Sequence, residues 1–174
     1  FPVLRKFDDQ QEEQRSPSDF QDGYLAGIYL AEGDLSWNNI NITNQDKGIQ
    51  NFLTKHFATK EIKYKGKVKG MRITNKSLAT DFLKYLGNGS SYKHIAPSLM
   101  NYSKNFSKGL LCGYMDGDGI FCIGKRGQIE LSYCTKSKVL AYDLKLLLNS
   151  MGYMVTLRIK KGSHKYKQNM YYYG

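Results

Sequence analysis

Four acidic side chains stand in two short, largely apolar stretches of a chain that otherwise has few of them. LAGIYLAEGD (residues 25–34) ends in Glu32-Gly33-Asp34, and LCGYMDGDG (residues 111–119) carries Asp116 and Asp118. At a constant offset of 86 residues, Leu25 falls on Leu111, Gly27 on Gly113, Glu32 on Asp118 and Gly33 on Gly119. Read as helices, Gly27 and Ala31 share one face, as do Gly113 and Gly117, because residues four apart align. Small residues there let two helix backbones approach and bring Glu32 and Asp118 to the same end. That end is already partially negative, and neighbouring carboxylates repel each other. A divalent cation is the natural counter-charge. Mg²⁺ is typically held by one or two carboxylates plus phosphate oxygens, and backbone groups of Gly33 or Ala31 and of Gly117 could add ligands. Two acids, a metal and a phosphate suit phosphodiester hydrolysis. A single Asp-Gly after a helix is ordinarily a cap and turn; the matched pair is what favours a site. Asp34 and Asp116 lack acidic counterparts (Ile120 and Leu30 stand there), so they read as cap or turn residues. An EF-hand is excluded, because Ile120 falls where a third ligand belongs.

The elements that would position these acids repeat as well. After each motif come two short strands, around Leu35–Thr43 and then Ile120–Ile123 with Gln128–Tyr133. A helix follows: Lys47–Phe57 with Ile49, Phe52 and Leu53 on one face, and Ser137–Met151 with Leu140, Leu144 and Leu147. Two more strands come next, Glu61–Lys65 with Lys69–Thr74, and Met154–Lys160 with Gln168–Tyr173. The first copy adds a helix, Ser77–Leu86; the second has no room for one. The fold class is α+β, with two pseudo-symmetric α-β-β-α-β-β-α halves, the second truncated. The expected division is an acidic arm over 1–22 ending in a helix cap at Ser18, Asp19 or Asp22, a first half over 23–106 with its connector, and a second half over 107–174. Residues 93–97, KHIAP, read as an ordered loop without regular structure.

Charge indicates the partner. The 174 residues carry 26 Lys and Arg against 15 Asp and Glu, a net charge of +11. Residues 1–22 hold three of those basic side chains and six of the acidic ones, which leaves 23 against nine in the remainder. Such a surface suits nucleic acid. Cys112, Cys122 and Cys134 have no metal-ligand spacing and read as free thiols in a reducing compartment. No apolar run reaches membrane-spanning length. Gly27-Ile28-Tyr29 spells half of a GIY-YIG signature without its second half, and His56, His94 and His164 are scattered.

LAGIYLAEG and LCGYMDGDG, with one α/β repeat between them, resemble the paired motifs of the single-chain LAGLIDADG homing endonucleases, and the resemblance covers residues 24–174. It implies two antiparallel sheets forming a saddle over double-stranded DNA. It implies a monomer with internal pseudo-symmetry, no membrane association, and cuts at a long asymmetric site leaving short 3′ overhangs. Glu32 and Asp118 would be the metal-binding acids. The metal would be Mg²⁺, with Mn²⁺ or Ca²⁺ as substitutes. Asn44 and Thr135 would hold water near it, and Lys76 matches a catalytic lysine at the end of the last strand of the repeat; a second lysine is not visible. The setting implied is intracellular: bacterial or phage-infected cytoplasm, or an organelle matrix.

Strand alternation extends this reading to the sheets. Ile62 and Tyr64 alternate with Lys63 and Lys65; Met71 and Ile73 flank Arg72; Val155, Leu157 and Ile159 alternate with Thr156, Arg158 and Lys160. Asn39, Asn41, Gln128, Glu130 and Ser132 share the outward parity. Basic side chains would neutralise phosphates, and Asn, Gln and Arg would read base edges. Lys160, Lys161, Lys165 and Lys167 would add phosphate contacts from a basic loop. The competing reading is a non-cleaving nucleic-acid binder, such as an intron RNA maturase or a regulator of the same fold. A third is the endonuclease part of an intein, although Phe1 offers no splicing nucleophile.

Overall fold

The computed structural model describes residues 18–123, 127, 129–164 and 167–174, with only the backbone at 161–164, 167–171 and 173. At its centre two helices, α1 (Ser18–Glu32) and α5 (Lys104–Asp118), lie against each other. A Cβ added at Gly27 would fall on the Leu110 carbonyl oxygen, and one at Gly113 on that of Tyr24. Gly23 and Gly109, one turn earlier, are equally tight against the carbonyls of Phe106 and Phe20. The four-residue spacing therefore runs one turn further than the motifs quoted above. Leu25, Ile28 and Tyr29 of α1 and Leu110 and Tyr114 of α5 are fully buried. Tyr29 and Tyr114 satisfy their hydroxyls within their own halves: Tyr29 donates to the Gly87 carbonyl at 2.5 Å and Tyr114 to that of Cys134 at 3.2 Å.

From each helix the chain runs directly into a four-stranded antiparallel sheet. The first half contains β1 (Gly33–Ser36), β2 (Asn39–Ile42), α2 (Lys47–His56), β3 (Thr59–Tyr64), β4 (Lys67–Thr74) and α3 (Lys76–Leu86). After a short turn of helix, α4 (Pro97–Met100), and α5, the second half contains β5 (Gly119–Ile123), β6 (Ile129–Thr135), α6 (Lys138–Ser150), β7 (Arg158–His164) and β8 (Lys167–Tyr173). Strand order is β1-β2-β4-β3 and β5-β6-β8-β7, the same topology twice. Gly33 pairs with Ile42 and Gly119 with Tyr133. The helices that follow are capped alike: the Asp46 side chain accepts from the Ile49 amide and that of Ser137 from the Leu140 amide. Ile49 and Leu53 of α2, and Leu140, Leu144 and Leu147 of α6, close one core.

Three local expectations change. The motif helix begins at Ser18, so residues 18–22, read as the end of an arm, form its first turn, with Asp19 buried. Residues 153–157 are irregular and the strand starts at Arg158, not Met154. Pro97 opens the turn of helix α4 where a loop was expected, a position its fixed φ suits. The rest of the arm, with Phe1 and Phe7, lies outside the described residues. All three cysteines are free. Among the described residues no helix is long and apolar enough to cross a membrane.

Candidate active site and nucleic-acid face

Glu32 is the last residue of α1 and Asp118 the last of α5. The glycine contacts carry both helices to the same end: a Cβ at Gly117 would meet the Ala31 Cβ and, at 3.2 Å, the Glu32 Cγ. The carboxylates therefore emerge together from two negative helix termini. Burial first, and the charge of Glu32 second, raise the Asp118 carboxyl to about 6, while Lys93 pulls it back.

Lys93 is the residue that sequence reasoning missed. It comes from the connector and is 5% exposed. Its Nζ donates to the carbonyl oxygens of Tyr29 at 2.7 Å and Leu30 at 3.0 Å, and lies 5.0 Å from the Tyr29 ring centre. Those carbonyls lie in the last turn of α1, where the helix has no amide donors to offer. Burial lowers the ammonium to about 8, against the opposing pull of Asp118, Asp34 and Glu32. The backbone is fixed too, because the Ser137 hydroxyl donates to the Lys93 carbonyl at 2.6 Å. The available signal was the unmet need for positive charge beside two acids, which the sequence reading assigned to a metal alone.

A cleft of about 250 Å³ opens here, lined by Leu30, Ala31, Lys93, Asp118, Cys134 and Thr135. Asn44 reaches the acids: its Nδ2 donates to Glu32 Oε1 at 3.4 Å. Its Oδ1 accepts from the Asp46 amide, and Thr135 Oγ1 accepts from the Ser137 amide in the same way. The two residues thus occupy equivalent turns at the mouth of each half. Lys76 is not brought here. It opens α3, exposed, past Thr74 at the far end of β4. Thr74 pairs with Asn39, three residues along from Ile42, which pairs with Gly33. That separation is roughly 10 Å at about 3.3 Å per residue. Asp34 and Asp116 are not caps: Asp34 accepts from Asn41 Nδ2 at 3.0 Å and Asp116 from the Tyr24 hydroxyl at 2.6 Å.

Among the described residues no group of three or more His, Cys, Asp or Glu side chains could hold a metal ion. Two crowded carboxylates beside an open cleft fit a hard cation that draws its other ligands from water and phosphate, as Mg²⁺ does. They do not fit a closed protein cage of the zinc type.

Residues 105–173, α5 and the whole second sheet, match the family of LAGLIDADG-like domains. That stretch is a LAGLIDADG-like domain. Solved structures of the homing endonuclease I-DmoI share the fold. One, bound to DNA and Ca, aligns with a TM-score of 0.60 at 15% identity, over 91% of this chain and 83% of that one. A set of mesophilic variants gives 0.59 at 13% identity, over 90% and 89%. Two curated proteins also match. The ATP-dependent DNA helicase Hel308 of Thermococcus kodakarensis is 32% identical over 149 residues, covering 79% of this chain. The RNA polymerase subunit Rpo1C of Methanocaldococcus jannaschii is 36% identical over 110 residues, covering 58%. The chain spans about 13% of the length of each.

The two sheets each have a face away from the helices. On the first, Asp34, Asn41, Arg72 and Lys60 stand opposite one another across β1, β2, β4 and β3. Asn41 is held between Asp34 and Arg72, whose Nε donates to Asn41 Oδ1 at 2.8 Å. Asn41 is accordingly buried where an open reading position was expected. Asn39 stands one row further out, accepting from the Thr74 hydroxyl. Lys63 and Lys65 are not on this face as alternation implied. A bulge at Ile62/Lys63 shifts the register, so Ile62 pairs with Gly70 and Lys63 with Val68, which packs on the core. Lys63 forms an ion pair with Glu61 at 2.8 Å, and Lys65 occupies a tight turn at φ 49°. Lys60 takes the place they were expected to fill.

On the second sheet Glu130 and Ser132 lie opposite Cys122 and Ile120. Arg158 and Lys160 have the matching parity through β8 and are exposed. Thr156 is exposed but precedes the strand. Lys161 and Lys167 belong to β7 and β8 by backbone only, and Gln128 and Lys165 lie outside the described residues.

Proposed function

We propose that this chain is a divalent-metal-dependent endonuclease that cuts double-stranded DNA at a long asymmetric site. The observation that carries the reading is the convergence of Glu32 and Asp118 at one end of the helix pair, with buried Lys93 near enough to interact with both, beside two sheets that present basic and amide side chains. Glu32 and Asp118 would hold Mg²⁺, with Mn²⁺ or Ca²⁺ able to replace it; backbone groups of Gly33 or Ala31 and of Gly117 are the further candidates. The I-DmoI structures were determined with Mn, Ca or Mg. The cation, when bound, supplies Lewis-acid polarisation of the phosphate and lowers the pKa of water. The chain supplies the rest. Asn44 would fix Glu32 by hydrogen bond, and Thr135 would line the cleft from the other half. Lys93 holds a positive charge where phosphate charge builds up. The open faces of both sheets position the duplex, Lys60, Arg158 and Lys160 on phosphates and Arg72 and Asn39 on base edges. Because the halves differ at every one of these positions, the target would be asymmetric.

The sharing of this segment by a helicase and a polymerase subunit, in each case about 13% of the protein, supports a transplantable nuclease module such as the mobile part of an intein. The non-cleaving reading draws on one observation, the displacement of Lys76 from the acids; the buried Lys93 beside them supports the cleaving one.

The test is cleavage of a randomised duplex library with Mg²⁺, beside an EDTA control and Asp118→Asn. Metal-dependent cuts at one asymmetric site, absent in the variant, are expected. Enrichment of bound sequences without cuts would establish the binder instead.

A further inference from the structure

The single tryptophan of the chain is placed where folding gains nothing from it. Trp37 is 94% exposed, so its indole buries almost no apolar surface. It is the first residue of the two-residue turn between β1 and β2, at φ 55°. A two-residue hairpin favours glycine at a first turn position with positive φ, and a bulky side chain there is an outlier. Strain of this kind persists where the surroundings hold it and is a pointer to use.

The surroundings do hold it. The Asn75 amide donates to the Asn38 carbonyl at 3.0 Å, tying the turn to the start of α3. Asn75 is itself the α3 cap, its side chain accepting from the Leu78 amide. Asn39 Nδ2 donates to the Ser36 carbonyl at 3.1 Å, closing the hairpin from inside. The indole thus projects from a fixed turn and not from a loose loop. It stands at the end of the row Ser36–Asn39–Thr74, beyond the row that holds Arg72. Lys76, displaced from the acids, is exposed immediately after Asn75. A flat aromatic surface and a cation are therefore presented together at the outer edge of the first sheet.

We propose that Trp37 contacts duplex DNA at the outer flank of the first half-site, its indole packed on the sugar–base edge while Lys76 meets the adjoining phosphate. This rests on the nucleic-acid reading above and adds to it a contact beyond the ladder of strand side chains. Contacts to sugar and backbone carry little sequence information. Trp37 would therefore set affinity and the length of the footprint more than the identity of the bases read.

With one tryptophan, its emission reports on this position alone. The chain is titrated with an unlabelled mixed-sequence duplex in Ca²⁺, following acrylamide quenching of Trp37, and in parallel with the same duplex labelled, following anisotropy. Quenching is expected to fall at the concentration at which anisotropy rises. Trp37→Gly, which suits the backbone, is expected to melt no lower than the parent yet bind roughly tenfold more weakly, as the loss of one partly buried apolar contact would give. Trp37→Phe should recover most of that loss. Binding by anisotropy with quenching unchanged, or a Trp37→Gly variant of undiminished affinity, overturns the proposal and leaves the DNA reading intact. Absence of any anisotropy change overturns both.

Discussion

Lys93 and Asp118 hold unusual protonation behaviour in one small volume, and its direction is measurable. The Asp118 carboxyl lies at about 6 in the folded chain against 3.8 for an ordinary aspartate. Between those values the folded state binds more protons than the unfolded one, so without metal the contribution of Asp118 to stability falls as pH rises. Melting temperatures in EDTA, parent minus Asp118→Asn, should decline through that window, and saturating Mg²⁺ should flatten the decline. Lys93 acts against burial to keep Asp118 ionised. Lys93→Met should move the acid limb of cleavage to higher pH. It should also cost about 1–3 kcal/mol of stability, because the Tyr29 and Leu30 carbonyls lose a buried donor. A variant with unshifted acid limb and normal melting would remove Lys93 from the site. Glu32 and Asp118 were readable as a pair because their motifs recur at an offset of 86 residues, whereas Asn44 and Thr135 came from the family resemblance, with the helices that follow them aligned. Lys93 was not readable, because it has no counterpart in the repeat and its chemistry depends on burial, which a lone lysine in KHIAP does not disclose.

At the level of elements, the helix pair decides whether the acids meet at all. Gly23, Gly27, Gly109 and Gly113 each leave room for a carbonyl oxygen of the partner helix. Gly113→Val would force the backbones apart, at roughly 1–3 kcal/mol, and separate Glu32 from Asp118 without touching either. Circular dichroism melting should show the loss of stability, and Mg²⁺-dependent activity should fall by more than that loss explains. If activity survives in proportion to folded protein, helix spacing is not what positions the carboxylates. Element order and topology were readable because the apolar periodicity changes from helix to strand twice in the same sequence. The facing of β3 was not. Alternation along β3 is unbroken, but the pairing of Lys60 with Arg72 turns Lys60 outward and Lys63 to the core side, and the bulge at Lys69 of β4 turns Val68 to the core side with Lys63. Gly70 in the middle of β4 was the available hint, since glycine inside a strand marks a bulge or a close approach. A Cβ there would strike the Ile42 carbonyl.

Over the whole molecule, the net charge of +11 makes DNA affinity strongly dependent on salt. Each phosphate contact adds about 0.9 to the slope of log affinity against log salt. Lys60→Ala should weaken binding to all sequences and reduce that slope by about 1, whereas Arg72→Ala should cost about 1–3 kcal/mol at its own base pair and relax specificity there. Equal losses on every sequence from Arg72→Ala would make it a phosphate contact. The connector has a consequence for dividing the chain as well as for chemistry. Lys93 lies outside both repeats, is fixed by Ser137 of the second, and clasps the end of the first helix. A symmetric dimer made from the first half with its connector would bring two such ammonium groups to the shared carboxylates; one made from the second half would bring none. Cut after the connector, the first half would lose the Ser137 hydroxyl that fixes Lys93, and the second would have no buried ammonium beside its acid, so neither half carries the charge balance of the whole.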